Sequence, residues 1–190
     1  MKRSLTLLAA LFSLAALAGC SDKSGGNAKP ETTSPSDTKS ESPSTPAGPQ
    51  LDLAKFLAKP CDVLTAAQLS PLGSHFKAPA PRTAPLGPAC DWKAVDSTVD
   101  SSVTVTLADG KEYDSLLSSS RKSPIFSEQK VEGLRSFNSD DTDGTVDCTT
   151  AVETGKESAI VVQTSVLDGK TKPCDVNLKV ASAVVTTLKG

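Results

Sequence analysis

The residues able to do chemistry are few, and their spacing limits what they can do. His75 is the single histidine of the 190-residue chain. A hydrolytic reading pairs it with Ser70 or Ser74 and a distant carboxylate. No Gly-x-Ser-x-Gly elbow presents such a serine. His75 follows Gly73 and precedes a proline-rich stretch, so an exposed loop histidine is the expected state. A zinc site built on histidines is excluded by count. Asp140-Asp141-x-Asp143-Gly144 has the flavour of a calcium loop. Aligned on its glycine, the first ligand falls on Ser139 and the last on Thr150, where a glutamate is required. A solvated hairpin turn is the expected role. No dinucleotide fingerprint or P-loop occurs, and acids scattered across turns offer no glycosidase pair. The sequence therefore predicts no catalytic residue, no metal ligand and no cofactor.

Cysteines carry the remaining chemistry. Cys61, Cys90, Cys148 and Cys174 have a nearest spacing of 26 residues, far wider than the Cys-x-x-Cys pairs of zinc sites. An even number in an exported chain predicts two disulfides. Three connectivities are open. Cys61–Cys90 with Cys148–Cys174 is preferred, because each closes a modest loop around one helix and nearby strands. Loop-closure entropy makes each bridge worth about 3.5 kcal/mol. Trp92, two residues after Cys90, is expected to pack on a disulfide rather than stack on a ligand.

The fifth cysteine, Cys20, ends a different pattern. Lys2 and Arg3 precede an apolar run from Leu5 to Leu17, and Leu17-Ala18-Gly19-Cys20 closes it. The last four residues resemble the bacterial lipobox, in which a thiol is alkylated by diacylglycerol before cleavage. Residues 1–19 are thus expected to be a signal peptide and Cys20 the lipidated N-terminus. The core is shorter than the roughly 20 residues of a membrane-spanning helix. Residues 20–50 then form the lipidated cysteine and a tether. Nineteen of the thirty residues 21–50 are Ser, Thr, Pro or Gly, and the apolar ones are Ala28 and Ala47. Such a segment cannot bury enough surface to offset ordering, and its prolines favour extended spacing.

Residues 51–190 read as one domain that must position the four cysteines. Leu53, Phe56 and Leu57 have helical spacing before Pro60, and Thr65-Ala66-Ala67-Gln68 matches a capping box. Pro79, Pro81, Pro85 and Pro88 make residues 76–89 a loop. Cys90–Asp96 is a short strand, and Val103, Val105 and Leu107 alternate with polar residues as in a half-buried strand. Tyr113, Leu116 and Leu117 share one face of a helix that stops before Pro124. Gln129–Asn138 reads as a strand with a bulge at Gly133. Thr145–Glu153 and Ser158–Leu167 follow, with Asp143-Gly144 as a hairpin turn. The Ile160-Val161-Val162 run predicts burial on both faces. Val176, Val180, Ala183, Val184 and Leu188 give a last helix. The expected class is α+β: an antiparallel sheet of about five strands, helices packed on one face, and two disulfides. Lys59-Pro60-Cys61-Asp62-Val63 recurs as Lys172-Pro173-Cys174-Asp175-Val176, either as a duplicated half or as repeated use of a good helix start.

Without Lys2 and Arg3, 18 basic residues face 22 acidic ones, a formal charge of about −4. No basic patch with interleaved aromatics appears, which argues against nucleic acid as a partner. Pro60-Cys61-Asp62-Val63-Leu64-Thr65-Ala66-Ala67-Gln68-Leu69 is similar to the opening motif of an actinobacterial lipoprotein family classed as a domain of unknown function. Cys90-Asp91-Trp92 resembles its Cys-x-Trp strand, Cys148-Thr149-Thr150-Ala151-Val152 its central cysteine strand, and Cys174-Asp175-Val176 its last helix. Val63 departs mildly, standing where the family usually has leucine. The resemblance implies an envelope location and a shared fold, and no activity. The expected function is a non-catalytic binding or sensing domain on the extracytoplasmic face of the cell membrane, held by its N-terminal lipid. Its partner is expected to be an envelope protein or a lipid or small-molecule ligand. The alternatives are a structural or accessory envelope protein without such a ligand, and an enzyme.

Overall fold

Val103, Val105 and Leu107 point to one side of their strand, and Thr104, Thr106 and Ala108 to the other. Both sides are covered, which sets the architecture. The computed structural model describes residues 50–73, 75–98, 101–111 and 113–190. The expected signal peptide, Cys20, the tether through residue 49 and Ser74 lie outside the described residues. Seven strands form one sheet: β1 (Ala80–Ala84), β2 (Gly87–Trp92), β3 (Ser102–Asp109), β4 (Ile125–Val131), β5 (Leu134–Asp140), β6 (Asp147–Gly155) and β7 (Ser158–Ser165). Their order is β1-β2-β3-β7-β6-β5-β4, and every neighbouring pair is antiparallel. After β3 the chain crosses to the far edge, then returns as the β4–β7 meander to pair with β3. Among the described residues four α-helices accompany the sheet: α1 (Ala54–Leu57), α2 (Ala66–Leu69), α3 (Tyr113–Ser120) and α4 (Pro173–Lys189).

This corrects the expected fold class in two respects. The sheet has seven strands, not about five. One missed strand is β1, inside the proline-rich stretch expected to be a loop. It is an edge strand, where Pro81 is tolerated because one side of an edge needs no ladder hydrogen bond. The other comes from Gln129–Asn138, which is two strands joined by a tight turn. Glu132 and Gly133 have φ values of 51° and 86°, as a two-residue hairpin turn with two left-handed positions requires. Gly133 is thus a turn residue rather than a bulge, and a glutamate at the first position hides the usual Asn-Gly signal.

The second correction concerns the helices, which are few and do not share one face. Val176, Val180, Val184 and Val185 of α4 pack on Val105, Leu107, Val152, Ile160 and Val162. Tyr113 and Leu117 of α3 pack on Ala108, Phe137, Ala151, Ala159 and Val161 from the opposite side. Consecutive residues of β7 therefore serve different cores, and Ile160, Val161 and Val162 are all buried. The α4 layer is bolted down at Asn177, which is fully buried. Its Nδ2 donates to the carbonyls of Cys148 (2.7 Å) and Val162 (3.2 Å), and its Oδ1 accepts from the Thr164 hydroxyl. The Thr65–Gln68 capping box forms, and Gln68 Nε2 also reaches Ala183 O and Thr187 Oγ1 of α4.

Candidate functional site

The two copies of Lys-Pro-Cys-Asp-Val each start a helical turn with proline at its first position. Each cysteine then bonds to a strand: Cys61 to Cys90 of β2, and Cys174 to Cys148 of β6. Val63 and Val176, two residues further, are buried in the same core. These cysteines are therefore fastenings of the α4 face. Trp92 is 2% exposed and shares that core with Cys61 and Cys90, out of reach of a ligand.

His75 is exposed, and its carbonyl accepts a hydrogen bond from Val95 N. Ser70 sits in a separate 3₁₀ turn. The acidic loop is occupied by its own hydrogen bonds. The Asp140 carboxylate accepts from the Thr142 hydroxyl and from Gly144 N at 2.7 Å. Asp143 accepts from the hydroxyl and N–H of Thr145, and these bonds hold its carboxyl below the ordinary carboxylate range. Ser139 lies opposite Thr149 in the register. Thr150, one residue on, consequently points to the other side of the sheet, where its hydroxyl donates to Asn138. The two ends of the supposed calcium loop thus lie on opposite faces. Among the described residues no cluster of His, Cys, Asp or Glu is arranged to hold a metal ion.

A concave feature lies on the α3 face, where the helix covers part of the sheet. Two cross-strand rows run there side by side. Thr106, Val161, Ala151 and Phe137 form a mostly apolar row, and Thr104, Gln163, Thr149 and Ser139 form a polar one. A groove of about 270 Å³ follows their boundary. Its floor is Thr106, Val161, Ala151, Gln163 and Thr149; Leu116 and Ser120 of α3 form one wall, and Arg82, Pro85 and Leu86 the other. Small floor residues create the depression, because Ala151 and the threonines cannot fill the space between helix and hairpin.

The groove's polar groups are spare. Arg82 spends its Nε on Asp91 (2.9 Å), which also accepts from Thr104 Oγ1 (2.8 Å). That pair fixes the guanidinium while its terminal nitrogens stay unpaired among the described residues. The Gln163 amide is exposed and has no hydrogen-bond partner among the described residues. The α3 wall is held by Arg135, whose Nη2 donates to Asp114 (2.6 Å) and whose Nη1 reaches Glu153 (3.3 Å). Its guanidinium carbon lies 4.9 Å from the centre of the Tyr113 ring. Burial pushes the Tyr113 hydroxyl above the ordinary tyrosine range, so it stays protonated. The Asp114 hydrogen bond raises Arg135 in turn. The groove thus offers hydrogen bonds and apolar contact. Sequence reading missed it. The available signal was the run of small or hydroxylated residues at alternate positions of β3 and β6.

Comparison with curated proteins and with solved structures returns no match. Residues 15–187 match the family described as "Protein of unknown function (DUF3558)", a stretch that holds all seven strands and all five cysteines, and the chain belongs to that family.

Proposed function

We propose that this chain is a lipid-anchored, extracytoplasmic binding module of an actinobacterial envelope, and that its groove between α3 and the β1–β2 hairpin takes the ligand. The lipobox-like Leu17-Ala18-Gly19-Cys20 and the Ser/Thr/Pro-rich tether support the location. The observation that carries the binding reading is the contrast of packing. The α4 face is filled with valines, whereas the α3 face leaves about 270 Å³ open beside unpaired donors of Arg82 and Gln163. A volume near the lower end of ligand sites suits a small molecule, or one segment of a lipid, with an apolar body and a polar or anionic head. In this reading the module holds its ligand through these contacts.

The test is native mass spectrometry of the full chain extracted in oxidised form from its own membrane. A stoichiometric added mass is expected. Thr149→Trp, which fills the floor of the groove, should abolish that mass while leaving the fold intact by circular dichroism. A bare chain before and after the substitution overturns the reading and leaves the structural or accessory role in its place.

A further inference from the structure

The two edges of the sheet differ. β1 carries Pro81, which interrupts pairing. β4 is seven residues long, has no proline and, among the described residues, has no strand on its outer side. The Glu132-Gly133 turn makes Val131 and Leu134 the hydrogen-bonded pair that closes the hairpin. Alternation along the ladder then directs the backbone N–H and C=O groups of Phe126, Glu128 and Lys130 outward.

The charges along this edge are self-complementary in one register. Lys130 lies directly opposite Arg135 across β4 and β5, an unfavourable like-charge pair. Arg135 is satisfied by Asp114 and Glu153, and Lys130 has no anionic partner among the described residues. Glu128 gives one oxygen, Oε1, to Arg121 and keeps the other unused. Gln129, between them, has a buried Nε2 with no acceptor.

We propose that β4 is a docking edge for a second copy of this chain, paired antiparallel about a two-fold axis through Gln129. That register sets Glu128 opposite Lys130 of the partner on both sides of the axis. Both residues direct their backbone groups outward, so each such pair exchanges its two N–H···O bonds. Lys130 gains a carboxylate in place of its like-charged neighbour. The Gln129 pair sits on the axis, and a turn about each terminal torsion lets each amide donate to the other's carbonyl. Centring the axis on Glu128 instead sets like charges face to face. In the Gln129 register one sheet runs through both copies, and both grooves open on the same side. Two sites fixed on one surface give avidity toward a repeating or membrane-bound ligand.

Cross-linking of the full-length chain in an exporting bacterium reads the register directly. On the axis the two Gln129 Cα atoms lie about 4.5 Å apart, within disulfide range. The corresponding Ser127 atoms are offset by four residues, roughly 13 Å. Gln129→Cys should give a band of twice the monomer mass that reduction collapses, and Ser127→Cys should give none. Adding Lys130→Glu should remove the Gln129→Cys band, and adding Glu128→Lys as well should restore it. Equal bands from positions 127 and 129, or no band at 129 with the protein accumulating normally, overturns the proposal. If the cysteine variants fail to accumulate, native mass spectrometry of the unaltered chain decides. Twice the chain mass upholds the proposal, and monomer alone at tens of micromolar overturns it.

Discussion

The two faces of the sheet are built from the same strands by opposite means. Under α4, Val105, Leu107, Val152, Ile160 and Val162 meet the valines of a seventeen-residue helix. Both disulfides and the Asn177 bonds close that side. Under α3, the facing residues are Thr106, Ala108, Phe137, Ala151, Ala159 and Val161, mostly small apart from Phe137, and the helix has eight residues. Its attachment includes the exposed ion pairs of Arg135. The chain has concentrated its branched aliphatic side chains and covalent fastening on one side, and the ring cluster of Tyr113, Phe126 and Phe137 on the other. The other side remains partly open. The tightly packed and the partly open face are thereby separated by strand alternation, one residue to each face.

Removing a fastening of the α4 face should have the largest effect. Replacing Cys148 and Cys174 together by alanine opens a loop of 26 residues, and chain entropy sets the loss at about 3.5 kcal/mol. Urea unfolding should show it as a lowered midpoint. Asn177→Ala comes next. It leaves the carbonyls of Cys148 and Val162 without their donor in a dry interior, at a cost of about 2–3 kcal/mol. Thr149→Trp, in the groove of the other face, should move the midpoint by less than about 1 kcal/mol. If Thr149→Trp destabilises as much as Asn177→Ala, the open face is as tightly packed as the closed one and the contrast fails.

Sequence pattern revealed the fastened face better than the open one, for a physical reason. Buried valines at strand and helix periods are strong signals, so β3, β7 and α4 are legible from residues such as Val103, Val105, Val162, Val176 and Val180. Cysteine spacing leaves three pairings open and favours the Cys61–Cys90 and Cys148–Cys174 loops that the structure contains. Edge features leave weaker traces. β1 is exposed along most of its length and contains Pro81, so neither alternation nor propensity marks it. The β4–β5 turn puts Glu132 where asparagine is usual, which merged two strands into one. Helices on one face are the expectation from strand runs joined by short turns, although the Ile160-Val161-Val162 run already predicts burial on both faces of β7. The groove is defined by what its residues lack in volume, and Ala151 or Thr149 in isolation signals nothing. Asn177, an interior polar residue on an otherwise apolar helix face, reads from sequence as a solvent-facing position; only the facing carbonyls of β6 and β7 explain it.

The attachment of α3 gives the finest test of the two-face contrast. Arg135 joins β5 to Asp114 on α3 and to Glu153 on β6, with the Tyr113 ring beneath it. Its side chain is 48% exposed and Asp114 is 71% exposed, so water and salt screen the pairs and each is worth no more than about 1 kcal/mol. Arg135→Gln should therefore lower global stability by about 1 kcal/mol. Its local effect should be larger, because an eight-residue helix does not persist without its tertiary anchors. Hydrogen exchange should accelerate in α3 while α4, held by neutral buried bonds and a disulfide, keeps its protection. Raising the salt concentration should produce the same pattern in the unaltered protein and little further change in Arg135→Gln. Equal acceleration in both helices shows instead that the two faces open as one unit, and α3 then cannot act as an independently adjustable wall of the groove.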